Sequence, residues 1–324
     1  MEVKDANLLK TYNNSSFCYV EGMWDKLKPS DINYYKKINP YDWQLARLND
    51  INHKYFAAIQ TIAKCEERYL KEWIDYHLDL GIDHIFIYDN NNDEGLKDFL
   101  SKTLTAENLN RIEIIPWHEP MDFQQYLAVK DCISKNKHNI KWLLTIDVDE
   151  FLTLEMPLKD FLNEFSYSSQ IYLSWESFNA NGHLKYENKP VLERFTETFK
   201  CHDYGQGKVF FRPTRLKEWG IHSAELLKGK TVNVMHKEIV APRSYDNIYK
   251  KAWIKHYFTK SLEEWNLKIK RGCCDNLYPR KYEEFFKANP NMKQHYDFNA
   301  QSIQVHYSSV ENSKIGDKIH GKRW

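Results

Sequence analysis

The stretch that decides the fold reads Trp142-Leu143-Leu144-Thr145-Ile146-Asp147-Val148-Asp149-Glu150-Phe151. Its first five residues form a mostly apolar run, which is typical of a buried strand. Asp147 and Asp149 follow at the strand end with one residue between them, so both carboxylates can turn towards one cation. Mg2+ and Mn2+ prefer such oxygen ligands and also bind phosphate oxygens. An isolated Asp-x-Asp motif is common on solvated loops. The strand that precedes this one is what favours a metal site here.

Strands and helices alternate along the chain before this stretch. Apolar runs predict strands at 56–62, 84–88, 112–115 and 142–146, and helical spacing predicts helices at 66–80, from about 96, and at 124–136. This alternation predicts an α/β fold with a mostly parallel sheet flanked by helices on both faces. Ligands of such sheets bind beyond the carboxyl ends of the strands. Lys64, Asp89 and Asp147 all follow strands, so we expect them to converge on one rim.

Composition limits the classes of partner. The 324 residues include 46 basic and 45 acidic side chains, which leaves a formal net charge of +1. Near-neutral charge argues against nucleic acid as the main partner, because phosphate binding needs concentrated Lys and Arg. With 42% apolar residues the chain can bury a large core. We expect an N-terminal extension packed on the main domain at 1–54, the main domain at 55–275, and a C-terminal extension at 276–324.

The sequence shows no signal for export or membrane insertion. No stretch approaches the roughly 18 consecutive apolar residues of a membrane-spanning helix, and the first residues do not resemble a secretory signal. The six cysteines lack any C-x-x-C pairing, which favours free thiols in a reducing compartment. We therefore expect a cytoplasmic protein. The mildly basic last fourteen residues suit solvation, with peripheral contact at the inner face of a membrane as the alternative.

An ordered set of motifs resembles glycosyltransferase family 92 and the related family 2-like glycosyltransferases. The set comprises Lys64 to Trp73, Asp89-Asn90-Asn91, Gln125, Trp142, Asp147 to Phe151, Trp175-Glu176-Ser177-Phe178, Gly182-His183, Glu193-Arg194-Phe195, His256 to Ser261 and Lys270-Arg271-Gly272. The resemblance covers about residues 56–275 and departs from the family at Cys65, where the family has Asn. It implies a GT-A type, Rossmann-like fold and transfer of a sugar from a nucleotide-sugar, with inversion at the anomeric carbon.

The resemblance also implies roles for individual residues. Asp147 and Asp149 would hold Mn2+ or Mg2+ against the diphosphate, and Asp147 would also contact the nucleotide-sugar. Lys64 and Glu66 would lie near the nucleotide, and Asp89 would help to hold its uracil or ribose. Elementary chemistry agrees, because the departing nucleoside diphosphate gains negative charge that a divalent ion and nearby cations stabilise.

A helix near the C-terminal end suits the same role. Ser261 and Glu264 form a predicted capping box, and Gly272 is placed to end the helix. His256 and Lys260 precede the helix, whose N-terminus favours anions. We therefore predict His256 as a metal or diphosphate ligand and Lys260 as a diphosphate contact. The basic residues of its last turn, Lys268, Lys270 and Arg271, read as a solvated face that complements the helix dipole.

The catalytic base is the least determined role. Inverting transfer needs a carboxylate within reach of the acceptor hydroxyl. The candidates after the metal motif are Glu176, Glu193, Asp203 and Glu225. We favour Glu193, because Glu193-Arg194-Phe195 matches a family stretch, although an ion pair with a neighbouring arginine explains that stretch equally well.

Aromatic residues are abundant, with 21 Tyr, 17 Phe and 10 Trp making 15% of the chain. Their helical or strand positions assign Trp73, Trp142 and Trp265 to the core. Trp117 and Trp175 lie in or near segments that follow strands, where they could stack on a donor or acceptor sugar. His222 is a further candidate for sugar contact, against the alternative of a structural histidine.

The first hypothesis for function is a metal-dependent inverting glycosyltransferase. It would move a sugar, with UDP-sugar as the expected donor, to a glycan or lipid-linked glycan acceptor in surface polysaccharide or lipopolysaccharide assembly. A metal-dependent nucleotidyltransferase or phosphohydrolase is the alternative enzyme class, although no Walker-type phosphate loop is present. A non-catalytic carbohydrate-binding protein is the third option, but it would leave the charged rim residues without a role.

Overall fold

Four parallel strands form one half of the central sheet. The computed structural model describes residues 53–91, 95–118, 123–199, 206–219, 222–239, 246–272, 280–297 and 302–303. The parallel strands lie in the order β3–β2–β1–β4, where the strands are β1 Tyr55–Ala63, β2 His84–Asp89, β3 Ile112–Pro116 and β4 Ile140–Thr145. The helices between them are α1 Glu67–Asp79, α2 Gly95–Thr103, α3 Ala106–Leu109 and α4 Gln124–Asn136. The predicted α/β fold class is confirmed, and the predicted element bounds agree closely with these.

The other half of the sheet is mixed. The new strands are β5 Glu150–Leu154, β6 Gln170–Ser177, β7 Gly207–Phe211, β8 Leu216–Trp219, β9 Ala224–Leu226, β10 Thr231–Asn233, β11 Glu238–Ile239 and β12 Ala252–His256. β7 lies antiparallel between β4 and β6. β12 runs parallel to β6 and antiparallel to β5. This pairing brings the end of β12 beside the start of β5. The start of β5 directly follows the two aspartates in the chain.

Short helices and small strand pairs complete the described part of the chain. They are α5 Leu158–Glu164, α6 Val191–Arg194, α7 Leu262–Arg271, α8 Tyr282–Ala288 and the β13–β14 pair of Tyr296–Asp297 with Ser302–Ile303. Within the described ranges, no helix combines the length and apolar composition needed to cross a membrane. The predicted N-terminal extension at 1–54 and the basic tail beyond residue 303 lie almost wholly outside these ranges.

The core occupies both faces of the sheet. Successive side chains of a strand point to opposite faces, and β1 shows this directly, with Ala57 and Ile59 in one cluster and Ala58 in the other. Trp73 and Trp142 are fully buried in the first cluster, which confirms their predicted place in the core.

Helix α1 fixes the start of β5 through two buried side chains. The Trp73 indole N–H donates to the carbonyl oxygen of Glu150 at 2.7 Å. His77 contacts the carbonyl oxygen of Trp73 at 2.7 Å, and its Nε2 accepts from the backbone N–H of Leu152 at 3.2 Å. Burial lowers the pKa of His77 to about 3, so the ring is neutral and Nε2 can accept. Helix α1 therefore holds the backbone that directly follows the two aspartates.

Helix α7 begins with the predicted capping box. Ser261 Oγ accepts from the backbone N–H of Glu264 at 3.3 Å, and the Glu264 carboxylate accepts from the N–H of Ser261 at 3.1 Å. Trp265 is fully buried, as predicted, and packs with Phe285 of α8 in a third apolar cluster. Helix α8 thus packs against α7.

Candidate active site

A cavity of about 230 Å3 opens at the carboxyl ends of β1, β4 and β6. Seven of the predicted site residues line it, namely Lys64, Glu66, Asp147, Asp149, Trp175, His222 and His256. Each follows a strand or lies near a strand end, apart from His222 in the segment before β9. The topology therefore brings together residues that are almost 200 positions apart in the chain.

Asp147 lies at the entrance of a tight turn. Its carbonyl oxygen accepts from the N–H of Glu150 at 3.0 Å, and its own N–H donates to Glu150 Oε2 at 2.9 Å. The Asp147 carboxylate accepts from Gln125 Nε2 at 2.7 Å and from Lys208 Nζ at 3.2 Å. Lys208 also lies 3.4 Å from Glu150 Oε2. With 39% of its side chain exposed, Asp147 faces the cavity and remains accessible to a ligand.

Asp149 lies deeper and its two oxygens face different groups. Oδ2 accepts from Lys268 Nζ at 2.5 Å, while Oδ1 lies 3.8 Å from His256 Nε2. Its backbone oxygen accepts from the N–H of Tyr257 at 2.8 Å, which joins the turn to β12. Burial opposes ionisation, but the charges of Lys268 and Lys260 hold the pKa of Asp149 well below its usual range. Asp149 is therefore a buried carboxylate anion.

His256 offers a neutral ring nitrogen beside this carboxylate. Burial lowers its pKa to about 3, against the opposing charge of Asp149. Its ring packs on Trp175 with the centroids 4.3 Å apart, and Trp175 meets His222 edge to face at 5.3 Å. His222 Nδ1 lies 3.2 Å from the carbonyl oxygen of Gly207. These three rings form one aromatic wall of the cavity.

The pair of Asp149 and His256 fits a divalent ion that is shared with a substrate. Their facing atoms are 3.8 Å apart, a separation that one ion with bonds of about 2.1 Å can bridge. A carboxylate anion and a neutral imidazole are the protonation states that bind metal. In the described part of the chain, no group of three or more His, Cys, Asp or Glu side chains could hold an ion alone. Mg2+ is commonly bound in this way, by one or two protein groups together with phosphate oxygens and water.

Two basic residues of α7 are not solvated, and their interpretation as a solvated face was wrong. Lys268 is buried against Asp149, and Arg271 pairs with Glu66 and donates to the carbonyl oxygen of Lys64 at 2.8 Å. Lys268 follows the buried Trp265 by three residues and precedes Arg271 by three, so all share the inward face. That spacing was the available signal. Lys208, Arg280 and Phe258 also line the cavity and were not predicted.

Asp89 and Lys260 lie near the cavity but do not line it. Asp89 is buried and accepts from the N–H of Asn91 at 3.1 Å. Asn91 in turn accepts from the N–H of Cys65 at 2.7 Å, so the polar cluster after β2 shapes the loop that carries Lys64. Lys260 is buried with its ammonium 4.3 Å from the Tyr69 ring centroid. Lys260 is close enough to Asp149 for its charge to help lower the pKa of that carboxyl.

Trp117 and Glu193 also lie away from the cavity lining. The Trp117 ring packs edge to face on Tyr88, with centroids 5.1 Å apart. Glu193 is exposed on α6, and the neighbouring Arg194 pairs with Glu264. Glu176 accepts from the Trp253 indole at 2.9 Å and Glu225 pairs with Lys217 at 2.7 Å, while Asp203 lies outside the described residues. The assignment of the base to Glu193 stays a prediction from its motif.

The similarity to known proteins covers the part of the chain that carries most of this cavity. The model of glycosyltransferase family 92 matches residues 53–271, more than half of the chain. A family 92 protein of Oryza sativa subsp. japonica is 30% identical over 142 residues, which are 42% of this chain and 24% of the rice protein. A galactan beta-1,4-galactosyltransferase of Arabidopsis thaliana is 21% identical over 218 residues, which are 61% of this chain and 38% of that protein. The chain thus spans well under half the length of these relatives.

Solved structures share less with the chain. The 4-diphosphocytidyl-2C-methyl-D-erythritol synthase from Anaerococcus prevotii overlaps 60% of this chain and 92% of its own, at 15% identity and a TM-score of 0.34. A likeness this low says nothing about activity. The mixed sheet flanked by helices is itself consistent with a GT-A-like fold. By the extent of the family match, the chain belongs to glycosyltransferase family 92.

Proposed function

We propose that this chain is a metal-dependent glycosyltransferase that moves a sugar from a nucleotide-sugar to a glycan or lipid-linked glycan, with inversion. The observation that carries the proposal is the Asp149 and His256 pair, which faces a cation-lined cavity inside a family 92 domain. UDP-sugars are the expected donors. UDP-galactose is the first to test, because one relative is named as a galactosyltransferase. Surface polysaccharide or lipopolysaccharide assembly stays the predicted setting.

The cavity residues suit a diphosphate leaving group. Lys64, Lys208 and Arg271 add positive charge around the two aspartates. Such fixed charges stabilise the negative charge that grows on the diphosphate as the glycosidic bond breaks. A bound Mn2+ or Mg2+, held by Asp149 and His256, would supply further Lewis-acid stabilisation of those oxygens.

The aromatic wall suits the sugar. Trp175 and His222 combine flat apolar faces with polar edges, which is the usual character of a carbohydrate contact. Of the carboxylates that line the described cavity, Glu66 and Asp149 have basic partners. Asp147 has Lys208 and Gln125 as partners, so none of the three is an unpaired base. Glu193, which lies outside the cavity lining, stays the predicted base for the acceptor hydroxyl.

The test is donor hydrolysis with a panel of UDP-, GDP- and CMP-sugars in the presence and absence of Mn2+. Asp149→Asn keeps the shape of the side chain and removes its charge, and we expect the rate to fall on the order of 100-fold. Asp160→Asn, on the exposed face of α5, is the matched control and should match the wild type. Hydrolysis that needs no metal, or that is the same for every donor and for Asp149→Asn, would refute the proposal.

A further inference from the structure

Arg280 lines the cavity with a guanidinium group whose Nε lacks a hydrogen-bond partner among the described residues. It lies after the residues that the family 92 model matches. Its side chain lines the cavity, and its guanidinium carbon lies 5.4 Å from the centroid of the Phe258 ring. The Nε atom is buried and has no hydrogen-bond partner. Across the described ranges, no carboxylate pairs with this side chain. The family match ends at residue 271, so Arg280 lies outside the matched residues.

Unlike Arg280, the neighbouring cations each pair with a carboxylate. Lys268 is compensated by Asp149 and Arg271 by Glu66. Lys268 also lies over the Phe258 ring, at 4.8 Å, and is close enough to Arg280 for the two charges to repel. A buried donor without a partner and a repulsion between cations both destabilise the empty cavity. An anion between the two cations would remove both costs.

The position of Arg280 is fixed by packing. It precedes α8, whose Phe285 packs on Trp265 of α7 in a shared apolar cluster. Asn289, just after α8, accepts from the buried N–H of Ala180 at 2.7 Å. The side chain is therefore held at the cavity by an element that is anchored on two sides, which is what a preorganised anion site needs.

We propose that Arg280 binds the phosphate of the departing nucleoside diphosphate and stabilises the charge that develops on it. The identity of the anion rests on the proposed function, whereas the anion site itself does not. A guanidinium presents planar paired donors that match phosphate oxygens and stays charged throughout. The bond between the sugar C1 and the phosphate oxygen breaks and its electron pair stays on that oxygen. The acceptor hydroxyl oxygen forms the new bond to C1 and releases its proton to a base.

The test uses calorimetry on the full chain with three probes: inorganic pyrophosphate, UDP and uridine. For Arg280→Gln we expect the affinity for UDP and for pyrophosphate to fall about tenfold or more, with uridine unchanged. Arg280→Lys should restore part of the loss, since it keeps the charge. Arg68→Gln is the matched control, because Arg68 is exposed and lies over the Tyr186 ring at 4.6 Å, away from the cavity lining.

The outcomes separate the two proposals. Equal affinities of Arg280→Gln and wild type for UDP and pyrophosphate would overturn the role of Arg280, even if the chain hydrolyses nucleotide-sugars. An equal loss for uridine would also overturn it, because the effect would then be structural. Pyrophosphate binding that depends on Arg280, in a chain that hydrolyses no nucleotide-sugar, would support the anion site and refute the glycosyltransferase proposal instead.

Discussion

Replacing Arg194 by Met should strongly destabilise the chain. Arg194 makes two hydrogen bonds to the Glu264 carboxylate, at 2.8 and 3.0 Å, and each side chain is 1% exposed. Without Arg194, the carboxylate keeps Ser261 and Tyr69 as its donors among the described residues. Removing one partner of a buried ion pair typically costs about 3–5 kcal/mol, because the other charge is left uncompensated.

The pKa of Glu264 gives a second measure of the same interaction. Burial opposes ionisation, yet the hydrogen bonds from Arg194 and Ser261 lower the pKa from 4.5 to about 2. One pKa unit corresponds to about 1.36 kcal/mol, so the shift corresponds to roughly 3 kcal/mol of free energy of unfolding. The folded pKa lies below the unfolded one, so this stability is fully present above about pH 4.5. It is lost as the pH falls towards 2.

The assay is urea unfolding of the wild type, Arg194→Met, Glu264→Gln and the double variant, at pH 7 and at pH 3. At pH 7 we expect the double variant to lose less free energy of unfolding than the two single losses combined. The gap between wild type and Glu264→Gln should narrow at pH 3, where the wild type is losing the contribution of the carboxylate. Losses that add to within about 0.5 kcal/mol at pH 7, or a gap that is independent of pH, would refute the reasoning.

Two further substitutions test the strand pairing and the base. Gly207→Ala should lower the free energy of unfolding by about 1–3 kcal/mol or more, since the added Cβ would overlap the Leu173 carbonyl oxygen and press on the Tyr172 ring; an unchanged urea midpoint would contradict this close approach. Glu193→Gln should lower turnover on the order of 100-fold with nucleotide binding intact, because Glu193 is the predicted base and does not line the cavity; near-normal turnover would assign the base to another carboxylate.

The parallel half of the sheet could be predicted because its signals are local. Each apolar run of β1 to β3 is followed by a helical pattern and then by the next strand, and the crossover rule fixes the direction of the strands. For the same reason, Lys64 and Asp147 were placed correctly on one rim. The antiparallel insertion of β7 between β4 and β6 depends on pairing between distant segments, for which the sequence has no local pattern.

Charged residues were harder to place. A lysine in the last turn of a helix is usually solvated and favoured by the dipole, so the sequence predicts Lys268 to be exposed. What buries it is Asp149, a partner 119 residues away. Lys260 was predicted to contact a phosphate from its place before a helix, and that role stays a prediction; its ammonium packs on the Tyr69 ring. Helical spacing indicates that Lys268 shares the inward face with Trp265, but no local rule identifies the tertiary partner of either lysine.

The pairing of Asp149 with Lys268 has a consequence for synthesis of the protein. At ribosomal rates, Asp149 is made roughly 6–24 s before Lys268, given their separation of 119 residues. Burying a carboxylate without its cation costs several kcal/mol, so the nascent turn after β4 must stay hydrated during that interval. Helix α7 therefore docks on the turn only after strands β1 to β12 have been made. A growing chain cannot close the cavity around a nucleotide until almost all of the family 92 domain has been translated.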